Sequence, residues 1–197
     1  MKTIPTYRDR REAGLTLIEL LVTAAILGTV MLVASTIMMG SSRMEARTSE
    51  RATVQGGARQ ALSLISTELR QAGADPSSPP VGIVGIVSAD SLRIRVRADL
   101  NGNGTIQTAE PSEDVTYAYN DTTGTITRDP GTGPVVLLAN VTSMTLQYFD
   151  SANQPITGFP LSTTDAARVH SIGLSFTSEV RQSQPLTLST RVTLRNM

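Results

Sequence analysis

From Leu20 to Ser42 the chain carries no charged residue, and a single acid, Glu19, stands at the head of that run. A helix rises about 1.5 Å per residue, so a stretch of this length crosses a hydrocarbon core of roughly 30 Å. A carboxylate inside an apolar helix is costly and by default implies a partner and a function. The plain alternative is a membrane anchor whose interfacial acid reaches back to headgroups. Before the run lies Met1–Gly14, with Lys2, Arg8, Arg10 and Arg11 set against Asp9 and Glu12. Basic residues ahead of an apolar span favour a cytoplasmic amino terminus. A cleaved secretory signal does not fit. The apolar core is too long, and no small-residue cleavage pattern follows it at a convincing spacing.

The stretch Gly14-Leu15-Thr16-Leu17-Ile18-Glu19-Leu20-Leu21-Val22 resembles the processing site of type IV prepilins and type II secretion pseudopilins. The resemblance implies that a membrane-embedded prepilin peptidase cuts after Gly14 on the cytoplasmic side and methylates the new amino terminus of Leu15. The family's usual first mature residue is Phe; here Leu15 takes its place. Glu19 becomes the fifth mature residue, as in the family. It lies about one helical turn, ~6 Å, below the freed amine. In a staggered bundle the acid of one subunit meets the amine of its neighbour, and pairing offsets the cost of holding both charges in low dielectric.

The expected organisation is a cytoplasmic leader (1–14, cleaved), a transmembrane and assembly helix (15–42), an amphipathic helix (43–73) and a β-rich periplasmic or extracellular domain (74–197). Within 43–71, Val54, Ala58, Ala61, Leu62, Ile65 and Leu69 recur at three- and four-residue spacing and form one apolar stripe. Arg51, Arg59, Glu68 and Arg70 are read as lying off it. Gly56-Gly57 marks a flexible point or a close contact, and Gly73 a helix cap. Beyond the Asp75–Pro80 turn region, strands are expected at Val81–Val87, Ser91–Arg97, Val115–Tyr119, Thr125–Arg128, Val135–Ala139, Met144–Phe149, Val169–Thr177 and Leu186–Leu194. Asn120–Gly124 reads as a hairpin loop. The fold class is therefore α+β, a long amino-terminal helix packed on a mainly antiparallel β-sheet domain, pilin-like in the sense the resemblance implies. The ending Leu69-Arg70-Gln71-Ala72-Gly73 resembles that of PilW-type minor pilins and the related J-type pseudopilins.

A second stretch carries chemistry. Asp99–Glu110 fits the twelve-residue calcium loop of EF-hand and dockerin-type proteins. Asp99, Asn101 and Asn103 offer oxygens at positions one, three and five, and Gly104 permits the turn at six. Thr105 offers its carbonyl, Gln107 a ligand or bridging water, and Glu110 the closing bidentate carboxylate. A strand pattern before the loop and Pro111 after it argue for an isolated calcium loop inserted between strands rather than a helix–loop–helix. With two formal charges, the expected affinity is of order ~10⁻⁴–10⁻³ M. The competing reading is a polar Asn-Gly turn facing water.

Other features are read blandly. Arg93, Arg95 and Arg97 make a basic strip that suits phosphates or, more simply, acids on the next strand. The chain sums to zero formal charge, and removing the leader leaves −2, so direct contact with nucleic acid is not expected. Tyr117, Tyr119, Tyr148 and Phe149 are read as packing. Without cysteine, and with His170 as the one histidine, no conventional transition-metal cluster or Cys–His dyad can be built. No nucleophile elbow or phosphate-binding glycine loop appears. The sequence makes no case for an enzyme; the resemblance implies instead that the chain is a substrate of another protein's peptidase.

The resemblance implies a minor pilin, a structural subunit of a type IV pilus or of its tip complex, serving pilus assembly, motility or DNA uptake. Its partners would be prepilin peptidase and other pilins. Its place would be the inner membrane, as a single-pass protein with a cytoplasmic amino terminus, and the cell surface after assembly. A minor pseudopilin of a type II secretion system is the alternative. From other classes come a membrane-anchored, calcium-dependent adhesion module and a membrane-tethered hydrolase with an unrecognised site.

Overall fold

A computed structural model describes residues 16–107, 110, 112–179 and 184–196. The chain forms two compact units that divide between Ala46 and Arg47, with helix α1 (Leu17–Gln71) contributing to both.

In the first unit, residues up to Ala46, α1 is exposed all round. Its most apolar window has a mean hydropathy of 2.4 and none of it is buried within the protein, so by length and composition it suffices to cross a membrane. Several hydroxyls in this stretch are satisfied inside the helix. The hydroxyls of Thr29 and Thr36 donate to the carbonyls of Ile26 and Val33 at 2.8 Å, and that of Ser42 to Met38 at 3.0 Å. Such internal bonding is what hydrocarbon surroundings demand.

In the second unit, the later part of α1 buries Ala58, Ala61, Ile65 and Leu69, with Leu62 packed against the same core. The apolar stripe is thus the core face. Glu68, expected off the stripe, is instead buried. It follows Ile65 by three residues and Ala61 by seven, which brings it to the stripe's edge, where a guanidinium from the sheet covers it. Gly56-Gly57 lies within unbroken helix. A side chain on Gly57 would meet Leu138 at 3.9 Å, whereas Gly56 faces open space. The helix ends as expected at Gly73, which adopts φ 77° and donates its N–H to the Arg97 carbonyl at 2.8 Å.

Two antiparallel sheets follow, and they share one hydrophobic cluster with the helix. The first is a meander of β1 (Ile86–Ala89), β2 (Arg93–Arg97), β3 (Asp114–Asn120), β4 (Thr125–Asp129) and β5 (Val135–Leu138), in that spatial order. The second comprises β6 (Val141–Phe149), β7 (Pro155–Ile156), β8 (Ser171–Ser178) and β9 (Leu186–Thr193), ordered β7-β6-β8-β9. Tyr117, Tyr148 and Phe176 are the largest fully buried side chains. The expected hairpin is present, with Asn120 opposite Thr125 and Asn120 Oδ1 accepting the Thr122 and Thr123 N–H groups at 3.0 and 3.1 Å.

The strand expected over Val81–Val87 begins only at Ile86. The Asp75 carboxylate accepts the N–H groups of Val81 and Gly82, each at 2.8 Å, and Gly82 takes φ 78°. These bonds hold the segment in a turn and leave Val81 and Val84 exposed. Strand β7 was not expected, nor was the short helix α2 (Thr163–Ala167), which is capped where Ser162 Oγ accepts the Asp165 N–H at 3.1 Å.

Candidate functional site

Gly14 and Leu15 lie outside the described residues. Glu19 sits in the first turn of α1. Thr16 precedes the helix, its carbonyl accepting the Leu20 N–H at 3.2 Å. Glu19 Oε2 accepts from the Thr16 N–H and the Thr16 hydroxyl, both at 2.9 Å. In return, Thr16 Oγ1 accepts the Glu19 N–H at 3.4 Å. This is a capping box, in which the Thr and the acid three residues later satisfy one another's orphan donors. Sequence reading noted the acid but not its local partner. The signal was available as Thr-x-x-Glu at the head of an apolar run.

The loop after β2 is curled by its own side chains. The two carboxylate oxygens of Asp99 accept the N–H groups of Gly102 and Gly104, each at 2.7 Å. Asn101 Oδ1 accepts from Asn103 at 3.0 Å, and Asn103 Oδ1 from Thr105 at 2.8 Å. Gln107 Nε2 reaches Thr105 Oγ1 at 3.3 Å. Gly102 and Gly104 both adopt positive φ, near 75°, which a turn at those points requires. Five of the six expected ligands therefore belong to one hydrogen-bonded turn. Glu110 is exposed, and its N–H donates to the Gln107 carbonyl at 3.1 Å. Glu113, which sequence reading did not select for the loop, spans its ends, accepting from Leu100 N–H at 3.2 Å and Gln107 N–H at 3.0 Å.

Four carboxylates are buried in this unit, and they divide by partner. Asp114 holds Arg95 through two bonds of 2.7 Å and Arg97 through one of 2.9 Å. Burial would raise the Asp114 pKa, but the hydrogen bonds from Arg95 and Arg97 outweigh it and leave the carboxyl below its usual range. The basic strip of β2 is accordingly an intramolecular one, with Arg93 exposed at its end. Glu68 is held by Arg128 at 2.6 Å, by Ser112 and by the Tyr117 hydroxyl. Burial, and then the bond to Glu68, push the Tyr117 phenol far above its ordinary pKa. Asp99 and Glu113, 0% and 1% exposed, have no cationic side chain among the described residues and rely on backbone N–H groups. Buried carboxylates are ordinarily paired with a cation or engaged to a metal. Among the described residues, no group of three His, Cys, Asp or Glu could hold a metal ion by itself, so any ion here draws on the amide, hydroxyl and carbonyl oxygens of the loop.

Residues 9–35 match the family model described as the Prokaryotic N-terminal methylation motif. No curated protein matches the chain. The matched segment contains Gly14, Leu15, Thr16 and Glu19. It supports a type IV pilin or pseudopilin processed by prepilin peptidase, and with the apolar helix it fits a membrane-anchored pilin.

Proposed function

We propose that this chain is a minor pilin, made as a precursor, inserted once in the inner membrane, cut after Gly14 and methylated at Leu15. One observation carries the reading. The matched methylation motif, residues 9–35, overlaps the start of a helix that carries no charge from Leu20 to Ser42 and whose most apolar window is not buried within the protein. A helix of that kind, followed by a β-rich unit with its own core, is the form of a subunit that packs its stem among its neighbours' stems. The ending Leu69-Arg70-Gln71-Ala72-Gly73 favours the PilW-type branch, with a type II secretion pseudopilin as the alternative. The role is structural, and the peptidase and sister pilins are its partners. The test is intact-mass and amino-terminal analysis of the protein extracted from membranes of its own cells. A chain beginning at Leu15 is expected, heavier by one methyl group. A chain retaining Met1–Gly14 where prepilin peptidase is active refutes the proposal.

Calcium binding by the loop is the second element of the proposal, favoured by the two buried carboxylates that lack a cationic partner. Asp99, Asn101, Asn103, Thr105, Gln107 and Glu110 supply the oxygens, and Glu113 keeps the ends of the loop together. The Asp99 oxygens and Asn101 Oδ1, each accepting one N–H, retain a lone pair for an ion; Asn103 Oδ1 also accepts the Thr105 hydroxyl at 2.7 Å, which must rotate away for Asn103 to ligate. The ion would tie loop order, and hence stability, to metal. With the dissociation constant expected from the charge count, 10 mM calcium stands at ~10–100 times Kd and adds about 1.4–2.7 kcal/mol. The melting temperature of the full chain in detergent micelles should rise by several degrees over chelator, and Asp99→Asn should abolish the rise. An identical melting curve with and without calcium refutes this element.

A further inference from the structure

The outward face of the second sheet bears a cavity of about 460 Å³ that neither the stem nor the calcium loop accounts for. Strands β6, β8 and β9 contain no acid, and Arg191 is their one charged residue. The register lays the face out in rows. Gln147, Gly173 and Arg191 stand side by side, and Thr145, Ser175 and Ser189 make the adjoining row. Gly173 opens the floor. A Cβ there would meet the Phe149 ring at 3.4 Å and Gln147 at 3.7 Å, so the missing side chain gives the ring its place. The Arg191 guanidinium lies 3.7 Å from the centre of that ring, and its Nε donates to Ser171 Oγ at 3.0 Å. Ring and hydroxyl thus fix the guanidinium plane. No hydrogen bond or ion pair engages its two terminal nitrogens among the described residues, and Arg191 lines the cavity.

From this arrangement we infer that the face is a binding site for an acidic polysaccharide, a uronic-acid chain whose carboxylate seats on Arg191 and whose hydroxyls lie over the Thr145–Ser175–Ser189 row. The chemistry selects against other polymers. A nucleic-acid backbone needs several cations in line, and among the described residues lining the cavity there is one. An apolar helix needs an apolar groove, and these rows are hydroxyl and amide. A uronic-acid chain offers what the face lacks, a planar carboxylate for a two-pronged guanidinium and alternating donors and acceptors for Ser, Thr and Gln. The inference does not depend on filament assembly, since the site lies wholly within the second unit.

The test uses the full chain in detergent micelles, titrated calorimetrically with oligogalacturonate, with a neutral cello-oligosaccharide and with duplex DNA. Chelator is present throughout, so the calcium loop cannot contribute. Oligogalacturonate should bind at least about tenfold more tightly than either comparator, tenfold being the effect of one good charge-assisted contact. Arg191→Ala should remove that margin. Ser189→Val, on an exposed strand position that suits a β-branched residue, should weaken binding about threefold with folding intact. No binding by the unaltered protein, equal binding of the neutral chain or the duplex, or undiminished binding by Arg191→Ala overturns the inference.

Discussion

Arg128→Met is expected to lower the stability of the second unit by about 3–5 kcal/mol, the usual cost of removing one partner from a buried ion pair. The guanidinium contacts both oxygens of Glu68, through Nε at 3.2 and 3.0 Å and through Nη2 at 2.6 Å, and also reaches Ser112 Oγ at 3.1 Å. Glu68 sits on α1 between the core residues Ile65 and Leu69, Arg128 on β4 and Tyr117 on β3. The network therefore ties the helix to the first sheet at a point where neither charge has ready access to water; the Arg128 and Glu68 side chains are 15% and 8% exposed. Methionine fills much of the volume and leaves Glu68 with two neutral hydroxyl donors. In thermal unfolding followed by near-ultraviolet circular dichroism, a drop of roughly 6–20 °C is expected for a unit of this size. The double variant Glu68→Leu with Arg128→Met should recover part of the loss, because replacing both charges removes the desolvation penalty along with the attraction, while the buried Tyr117 hydroxyl loses its acceptor. A single variant that melts within about 2 °C of the unaltered protein, under 1 kcal/mol on the same scale, would show that water reaches Glu68 and that the pair is incidental.

That network marks a limit of what the sequence displays. Periodicity identified the stripe of Ala58, Ala61, Ile65 and Leu69, because burial follows helical spacing directly. It placed Glu68 outside, because a carboxylate is scored as polar whatever stands opposite it. Only the pairing of α1 with β4, across 60 positions, reveals the compensation. The strand alternation of β2 was legible, and Arg95 and Arg97 meet Asp114 on the next strand, as the plainer reading of that strip expects. Val81–Val87 failed for a related reason. Its β-branched residues describe a strand, but the Asp75 carboxylate, six and seven residues upstream of the N–H groups it captures, turns the backbone away from a ladder. In the loop, the local Asp-Asn-Asn spacing produced the turn it suggested, while Glu113 was overlooked because its role depends on two backbone donors at opposite ends of the loop. Local pattern was readable; compensation over distance was not.

Glu19→Gln should separate the cap at the head of α1 from the proposed charge pairing between subunits, and it is expected to reduce incorporation into filaments at least about tenfold, or 1.4 kcal/mol per subunit interface, while leaving the helix start intact. Glutamine serves at the third helical position of a capping box as glutamate does, so the bonds to the Thr16 N–H and hydroxyl persist. Thr16 would be the second residue of the processed chain, so its N–H survives cleavage after Gly14. What glutamine removes is the negative charge. If Glu19 of one subunit neutralises the Leu15 amine of the next, that amine is left uncompensated in low dielectric, at a cost of several kcal/mol before relaxation. Thr16→Ala makes the opposite change, keeping the charge and breaking the cap, for about 1 kcal/mol of local helix stability. Its incorporation should stay close to that of the unaltered protein. Both are read by comparing sheared filaments with total cell protein, alongside the mass of the processed chain, which neither substitution should change. Normal filaments from Glu19→Gln together with poor ones from Thr16→Ala would assign Glu19 to the cap alone, and the pairing of acid and amine between subunits would have to be abandoned.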